Sequence, residues 1–304
     1  MYPSLVGRTA GWIAVLFMLC GLSSAYAGAD SASREAEIRS AFQEANAAKK
    51  QGPADIPLLD QATLKLPEHF LFVPRPAADK VLSALGNPVG DTLLGLIYGT
   101  GENDDWMAVV RFEKSGYIKD DDAKHWDVDE LFDNLRQGTA EANKERASRG
   151  IPELELTGWV ERPAYQAGPH HLVWSMGVKS KGDNDAQANQ SVNYNTYVLG
   201  RDGYLSVNFV TGAQDIAAQK PIAETLLSSV SFVPGKTYAD FNSSTDKMAE
   251  YGLAALVGGV AAKKLGLLAV IAAFAAKSFK LIAIAAVGVL AAIRKFFGAK
   301  KDEA

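Results

Sequence analysis

Val192-Asn-Tyr-Asn-Thr-Tyr-Val-Leu-Gly-Arg-Asp-Gly-Tyr-Leu-Ser-Val-Asn-Phe-Val210 is the stretch whose reading decides the fold. Residues 192–199 and 204–210 are rich in β-branched and aromatic side chains, which fit a pleated, packed surface better than a helix. Gly200-Arg-Asp-Gly203 between them supplies the conformational freedom of a tight turn, so the stretch predicts an antiparallel hairpin.

The same style extends on both sides. Residues 154–161 and 171–178 read as strands joined by a turn at 162–169. In the second, Leu172, Trp174, Met176 and Val178 alternate with Val173, Ser175, Gly177 and Lys179, the pattern of a half-buried antiparallel strand. Further back, 92–98 and 106–112 are strands around a Gly- and Asp-rich turn. Extended segments fall at 62–66 and 70–73, and a short helix covers 77–85. Asp127 with Glu130 three residues on predicts the start of a helix that Gly150-Ile-Pro152 closes. A helix at 214–229 and a short strand at 230–233 complete the series. Ile38, Ala41, Phe42 and Ala45 draw a thin apolar stripe along a charged helix at 33–49. The expected fold class is α+β: an antiparallel sheet with packed helices. Its closing strand, turn, helix and short strand resemble in pattern the end of the PsbP-type α/β/α sandwich.

Composition adds a topology. The 304 residues carry a net charge of −4, with 48% hydrophobic residues, one Cys and four His. That excludes a disulfide scaffold and a wholly disordered chain, and it disfavours a nucleic-acid binder, which needs an excess of Lys and Arg. The charge is unevenly spread: +1 over residues 1–27, −10 over 28–248 and +5 over 249–304. Arg8, an apolar run over 12–22 and Ala25-Tyr-Ala27 predict a secretory signal covering 1–27. Its removal takes Cys20, and with it thiol chemistry.

From Phe274 to Ile293 an apolar stretch of about 20 residues is long enough to cross a bilayer. Arg294, Lys295, Lys300 and Lys301 follow it, and a single crossing puts them on the cytoplasmic side, as the positive-inside rule requires. A membrane hairpin gives the wrong charge bias; a helix lying flat in the interface is the other arrangement. The expected organisation is therefore a signal at 1–27, a helical segment at 28–57, an exported domain at 58–248, and an anchor with a basic tail at 249–304. This places the domain in the periplasm or outside the cell, on the inner membrane. The small residues Gly288 and Ala292 at i, i+4 spacing leave a homo-oligomer open.

Catalytic motifs are missing: no His-Glu-x-x-His, no Gly-x-Ser-x-Gly, no phosphate-binding loop. No cofactor, metal site or catalytic residue is therefore assigned. Asp120, Asp121 and Asp122 form the densest acid cluster, without the alternating spacing of a calcium loop; its ordinary reading is a solvated entry to the next helix. His171, beside His170, heads a strand, where neighbours point to opposite faces. Trp159, Tyr165 and Tyr194, with Arg201 and the Asp cluster, are the candidates for a groove that takes a peptide, glycan or protein partner.

The stretches 115–123, 158–165, 192–195 with 199–203, and 232–242 running on to 251–252 resemble, in order, a family of bacterial membrane-anchored proteins carrying a domain of unknown function. That resemblance implies export and anchoring, and transfers no reaction or catalytic residue. The expected function is a membrane-anchored extracytoplasmic binding protein of the cell envelope, the alternative an envelope hydrolase with an Asp/His site.

Overall fold

The computed structural model describes residues 28–258, apart from 88, 102–103, 125, 149 and 184–189. Helix α1 (Gly28–Ala48) precedes four short strands, β1 (Lys50–Gln51), β2 (Ala54–Leu58), β3 (Ala62–Leu66) and β4 (Phe70–Pro74). Helix α2 (Ala77–Ala84) leads to β5 (Leu93–Gly99) and β6 (Met107–Glu113). A 3₁₀ turn at Asp121–Lys124 opens into α3 (Val128–Ser148). Strands β7 (Leu154–Gln166), β8 (His171–Ser180), β9 (Ser191–Leu199) and β10 (Tyr204–Gly212) follow, then α4 (Ile216–Ser228), β11 (Val230–Phe232), a 3₁₀ turn at Tyr238–Asp240 and α5 (Leu253–Val257).

Eight strands form one antiparallel sheet in the order β1-β4-β5-β6-β10-β9-β8-β7, and β11-β3-β2 form a second. The hairpin read from the sequence lies at the heart of the large sheet, in register from Tyr204↔Leu199 to Gly212↔Ser191. Its turn needs glycine at 203: φ is +157°, and a Cβ there would sit 1.9 Å from the Glu113 carbonyl oxygen. The molecule is thus a mixed α+β fold built on a large antiparallel sheet.

Alternation divides the side chains between two layers. Ala108, Val110 and Phe112 of β6, Leu205, Val207 and Phe209 of β10, and Tyr194 and Val198 of β9 pack with the small sheet and with Ala223, Leu226 and Leu227 of α4. On the opposite face two separate cores form. Ala41 and Ala45 of α1 and Val81 and Leu82 of α2 cover Val73, Leu96 and Tyr98. Helices α3 and α5 cover Leu172, Trp174, Met176 and Val178 of β8. Strand β8 is therefore buried on both faces, where its alternation predicted burial on one: Val173 joins the α4 layer while its neighbours join the layer beneath α3.

Strand β7 is longer than predicted, running on from 161 to Gln166. It is the outer strand, where Pro163 is tolerated because edge positions need no donor, and bulges at Leu156/Gly158, Trp159/Glu161 and Glu161/Ala164 take up the mismatch. Asn143 of α3 ties down its start, donating to the Leu154 carbonyl and accepting from the Leu154 N–H, both at 2.8 Å. Residues 54–58 pair with β3 as a strand that the proline-punctuated sequence concealed. Asp127 accepts from the N–H groups of Asp129 and Glu130 at 3.0 Å, the predicted helix start.

Among the described residues no helix is long and apolar enough to cross a membrane. The expected signal at 1–27 and span at Phe274 to Ile293 lie outside the described residues.

Candidate functional site

Four connections meet at one corner of the large sheet: the loop after β6, the β7–β8 turn, the β9–β10 turn, and the segment after β11. The loop after β6 pairs with the last of these, Tyr117 N–H donating to the Lys247 carbonyl at 2.9 Å and Ala249 N–H to the Tyr117 carbonyl at 2.8 Å. Tyr238 Oη donates to the Ile118 carbonyl at 2.7 Å. Rings then stack in sequence, Phe241 on Tyr117 at 3.8 Å, Tyr117 on Tyr238 at 4.3 Å, and Tyr238 on His170 at 4.1 Å.

At the end of that ladder Tyr165 Oη lies 2.8 Å from Asp120 Oδ2 and 2.9 Å from His170 Nδ1. The phenol has one proton. Burial first, and the Asp120 carboxylate second, push the Tyr165 pKa up, so that proton stays and is donated to the carboxylate. The phenolic oxygen is left to accept from His170, an arrangement that puts the imidazole's own proton on Nδ1. The result is a directed chain, imidazole to phenol to carboxylate, with the His170 and Asp120 side chains 29% and 31% exposed. Such a chain passes a proton or presents polarised groups to a ligand; His170 is held in it at a φ of +56°, a conformation a non-glycine residue adopts only where its surroundings impose it.

The predicted site residues separate on inspection. Asp120 and Tyr165 come together. Asp122 turns away and accepts from Leu253 N–H at 3.1 Å and Ala254 N–H at 3.0 Å, capping α5. Asp121 is exposed. The three aspartates therefore diverge, and among the described residues no group of His, Cys, Asp and Glu side chains is arranged to hold a metal ion. Arg201 is a clamp: its Nε and Nη2 donate to the two oxygens of Asp246 at 2.7 and 2.8 Å, and its Nη1 to the Gly235 carbonyl at 3.1 Å. Trp159 packs against Phe132 of α3 at 5.2 Å. Tyr194 lies on the opposite face, buried beneath the Lys220 ammonium at 5.8 Å, and Lys220 is paired with Glu161 at 2.7 Å. His171 heads β8 with its pKa lowered by burial and then by the charge of His170. The sequence reading named His171; the structure recruits His170, whose left-handed turn conformation has no signature in the residue order.

His170 apart, the residues of this corner lie in the stretches 115–123, 158–165, 199–203 and 232–252. A family model described as "Protein of unknown function (DUF2167)" matches residues 50–289. The chain belongs to this family. No curated protein matches the chain. Among solved structures it is similar to cyanobacterial PsbP (CyanoP) from Synechocystis sp. PCC 6803, at 13% identity and a TM-score of 0.36, covering 61% of this chain and 91% of that one. It is also similar to the Ran-binding protein Mog1p of Saccharomyces cerevisiae, at 10% identity and 0.31, covering 64% and 100%. A third is PA94 of Pseudomonas aeruginosa, a protein of unknown function, at 11% and 0.22, covering 57% and 91%.

Proposed function

We propose that this DUF2167 protein is a membrane-anchored extracytoplasmic binding protein of the bacterial cell envelope. In this reading residues 1–27 direct export, Phe274 to Ile293 cross the inner membrane once, and the basic tail lies in the cytoplasm. The domain faces the periplasm or the cell exterior. The observation that carries the reading is how the segment 232–258 is held. Arg201–Asp246, Asp122 and the Tyr117 pairing clamp it to the sheet, so the chain is firmly held just before the apolar run begins. A domain held by a tether needs that strength at its exit point.

The test is crosslinking in intact cells with residues 259–304 retained, followed by identification of what copurifies. A specific envelope component, lost when 259–304 are deleted, supports the reading. Recovery of cytoplasmic proteins alone overturns it.

One observation favours a second reading, a hydrolase. Asp120 and His170 share Tyr165 as a bridge, and a neutral imidazole with its proton held on Nδ1 keeps a lone pair on Nε2, a general base in form. The stacking of His170 on Tyr238 and the hydrogen bonds of Tyr165 account for these groups as structural ties, and we rank the hydrolase second. An envelope-polymer hydrolysis abolished by Asp120→Asn in a folded variant would reverse that order.

A further inference from the structure

The β2–β3 turn, the loop after β6, the β9–β10 turn and the segment 233–250 meet at one end of the domain, and contacts join them without a break. Val233 N–H donates to the Gln61 carbonyl at 2.9 Å, and Gly116 N–H to the Asp202 carbonyl at 3.0 Å. Lys236 Nζ lies 2.5 Å from Asp202 Oδ2 and 3.8 Å from Asp60 Oδ2. Tyr117, next to Gly116, pairs with Met248.

Two large apolar side chains of this end stand in water: Leu59, 61% exposed, and Met248, 40% exposed. Single exposed apolar residues are ordinary. Leu59 differs in its backbone, for it tips the β2–β3 turn at a φ of +58°, where asparagine or glycine would sit at lower cost. A leucine is thus held under strain at an exposed turn tip.

The charges around the two tips divide by role. Carboxylates are tied to partners within the domain: Asp246 to Arg201, Asp202 to Lys236, Asp240 to Thr237, and Asp60 to Gln61 at 2.9 Å. Lys114, Lys119 and Lys247 are exposed, and among the described residues none of them has a hydrogen-bond or ion-pair partner through its side chain. Gln61 first, and Lys236 and Lys114 more weakly, hold the Asp60 carboxyl below its usual range, which puts Lys114 beside the Leu59 turn. Lys247 precedes Met248 in the chain. The remaining exposed acids of these loops, Asp121 and Glu250, flank α5: one adjoins its cap Asp122, the other precedes it by three residues.

Exposed apolar tips among unpaired lysines suit the surface of an anionic bilayer. Lysine is depleted from interfaces between proteins, so the same composition disfavours a protein partner. We propose that this end docks on the membrane to which the chain is tethered, Leu59 and Met248 entering the headgroup region and the three lysines meeting lipid phosphates. The inference rests on the tethered reading and adds to it the orientation of the domain. Met248 lies ten residues before Gly258, and residues 259–273, ahead of the expected span, reach at most about 50 Å. A contact made on so short a tether needs little affinity of its own.

The full chain is reconstituted in nanodiscs of phosphatidylcholine, alone or with phosphatidylglycerol, and amide exchange is followed by mass spectrometry after flotation has shown insertion. Exchange at 58–61 and 245–250 is slower in the anionic discs, by about fivefold for each lysine that meets lipid, and is the same in both at 157–166 of β7. Leu59→Asp with Met248→Asp, and Lys114→Glu with Lys247→Glu, each remove the protection; all four side chains are exposed, so the melting temperature stays that of the wild type. Equal exchange in the two discs for an inserted chain overturns the docking and leaves the tether standing, whereas a chain that does not insert overturns both. Protection that survives the charge reversals marks a contact with something other than anionic lipid and overturns the proposal as well.

Discussion

Tyr165 Oη stands 2.8 Å from Asp120 Oδ2, fastening the sheet's outer strand to a loop 45 residues earlier in the chain. The bond ends on a carboxylate, and charged acceptors make the stronger hydrogen bonds. Both groups are partly exposed, so solvent screening reduces what it contributes. Tyr165→Phe is expected to lower unfolding stability by about 1 kcal/mol, measured by urea denaturation at neutral pH. Asp120→Asn keeps an acceptor and costs less. A Tyr165→Phe variant with wild-type stability would show that the chain of groups is not a fastening.

The Arg201–Asp246 pair sets a pH dependence with a defined sign. The two bonds from Arg201, then the Asn242 N–H, hold the Asp246 carboxyl well below the usual carboxylate range. A group whose folded pKa is depressed stabilises the fold above its unfolded value, about 3.9, and that contribution is lost as the pH falls through the lower folded value. Asp246→Asn therefore melts below wild type at pH 7, and the gap closes as the pH is taken below about 4. A gap of constant size across that range contradicts the assignment.

Asp122 caps a five-residue helix from a loop 131 positions earlier. Asp122→Ala is expected to cost about 1 kcal/mol, the usual worth of such a cap. The loss should be local: amide exchange at Leu253 and Ala254 accelerates, while exchange in β9 and β10 follows only the global change. Uniform acceleration would mean that Asp122 acts elsewhere.

His171 is expected to titrate below the ordinary histidine value of about 6.5, because burial disfavours its charged form and His170 adds to that. Its contribution to stability is present above about pH 6.5 and is lost as the pH falls toward the depressed folded pKa, because the unfolded chain takes up the proton first. NMR titration of the ring resonances gives the midpoint directly; a value above 6.5 refutes the burial argument.

Much of this was written into local sequence. Gly200-Arg-Asp-Gly203 and its flanking runs announced the central hairpin because turn chemistry and side-chain alternation are both local. The stripe of Ile38, Ala41, Phe42 and Ala45 announced the face α1 turns to the sheet. What stayed hidden depends on distant partners. The strand at 54–58 is held by its pairing with β3, and β7 outruns Pro163 because it lies at an edge, which strand order alone decides. Asp120 and Tyr165 were visible as residue types, but their union with His170 requires a turn at positive φ. Arg201 and Asp122 looked like ligands for a partner because their true partners, Asp246 and the start of α5, lie 45 and 131 residues away. Asn195 and Asn208 drew no attention as polar residues in strands; only the sheet register brings them together.

The central claim is that this fold is a tethered domain outside the cytoplasm. Its most direct test is carbonate extraction of membranes combined with protease added to the outer face of intact spheroplasts. The account predicts that the full chain stays in the washed membrane, that external protease digests the domain down to a short C-terminal fragment, and that deletion of 259–304 releases the domain. Intact protein in the carbonate wash, or a domain protected from external protease, would contradict it.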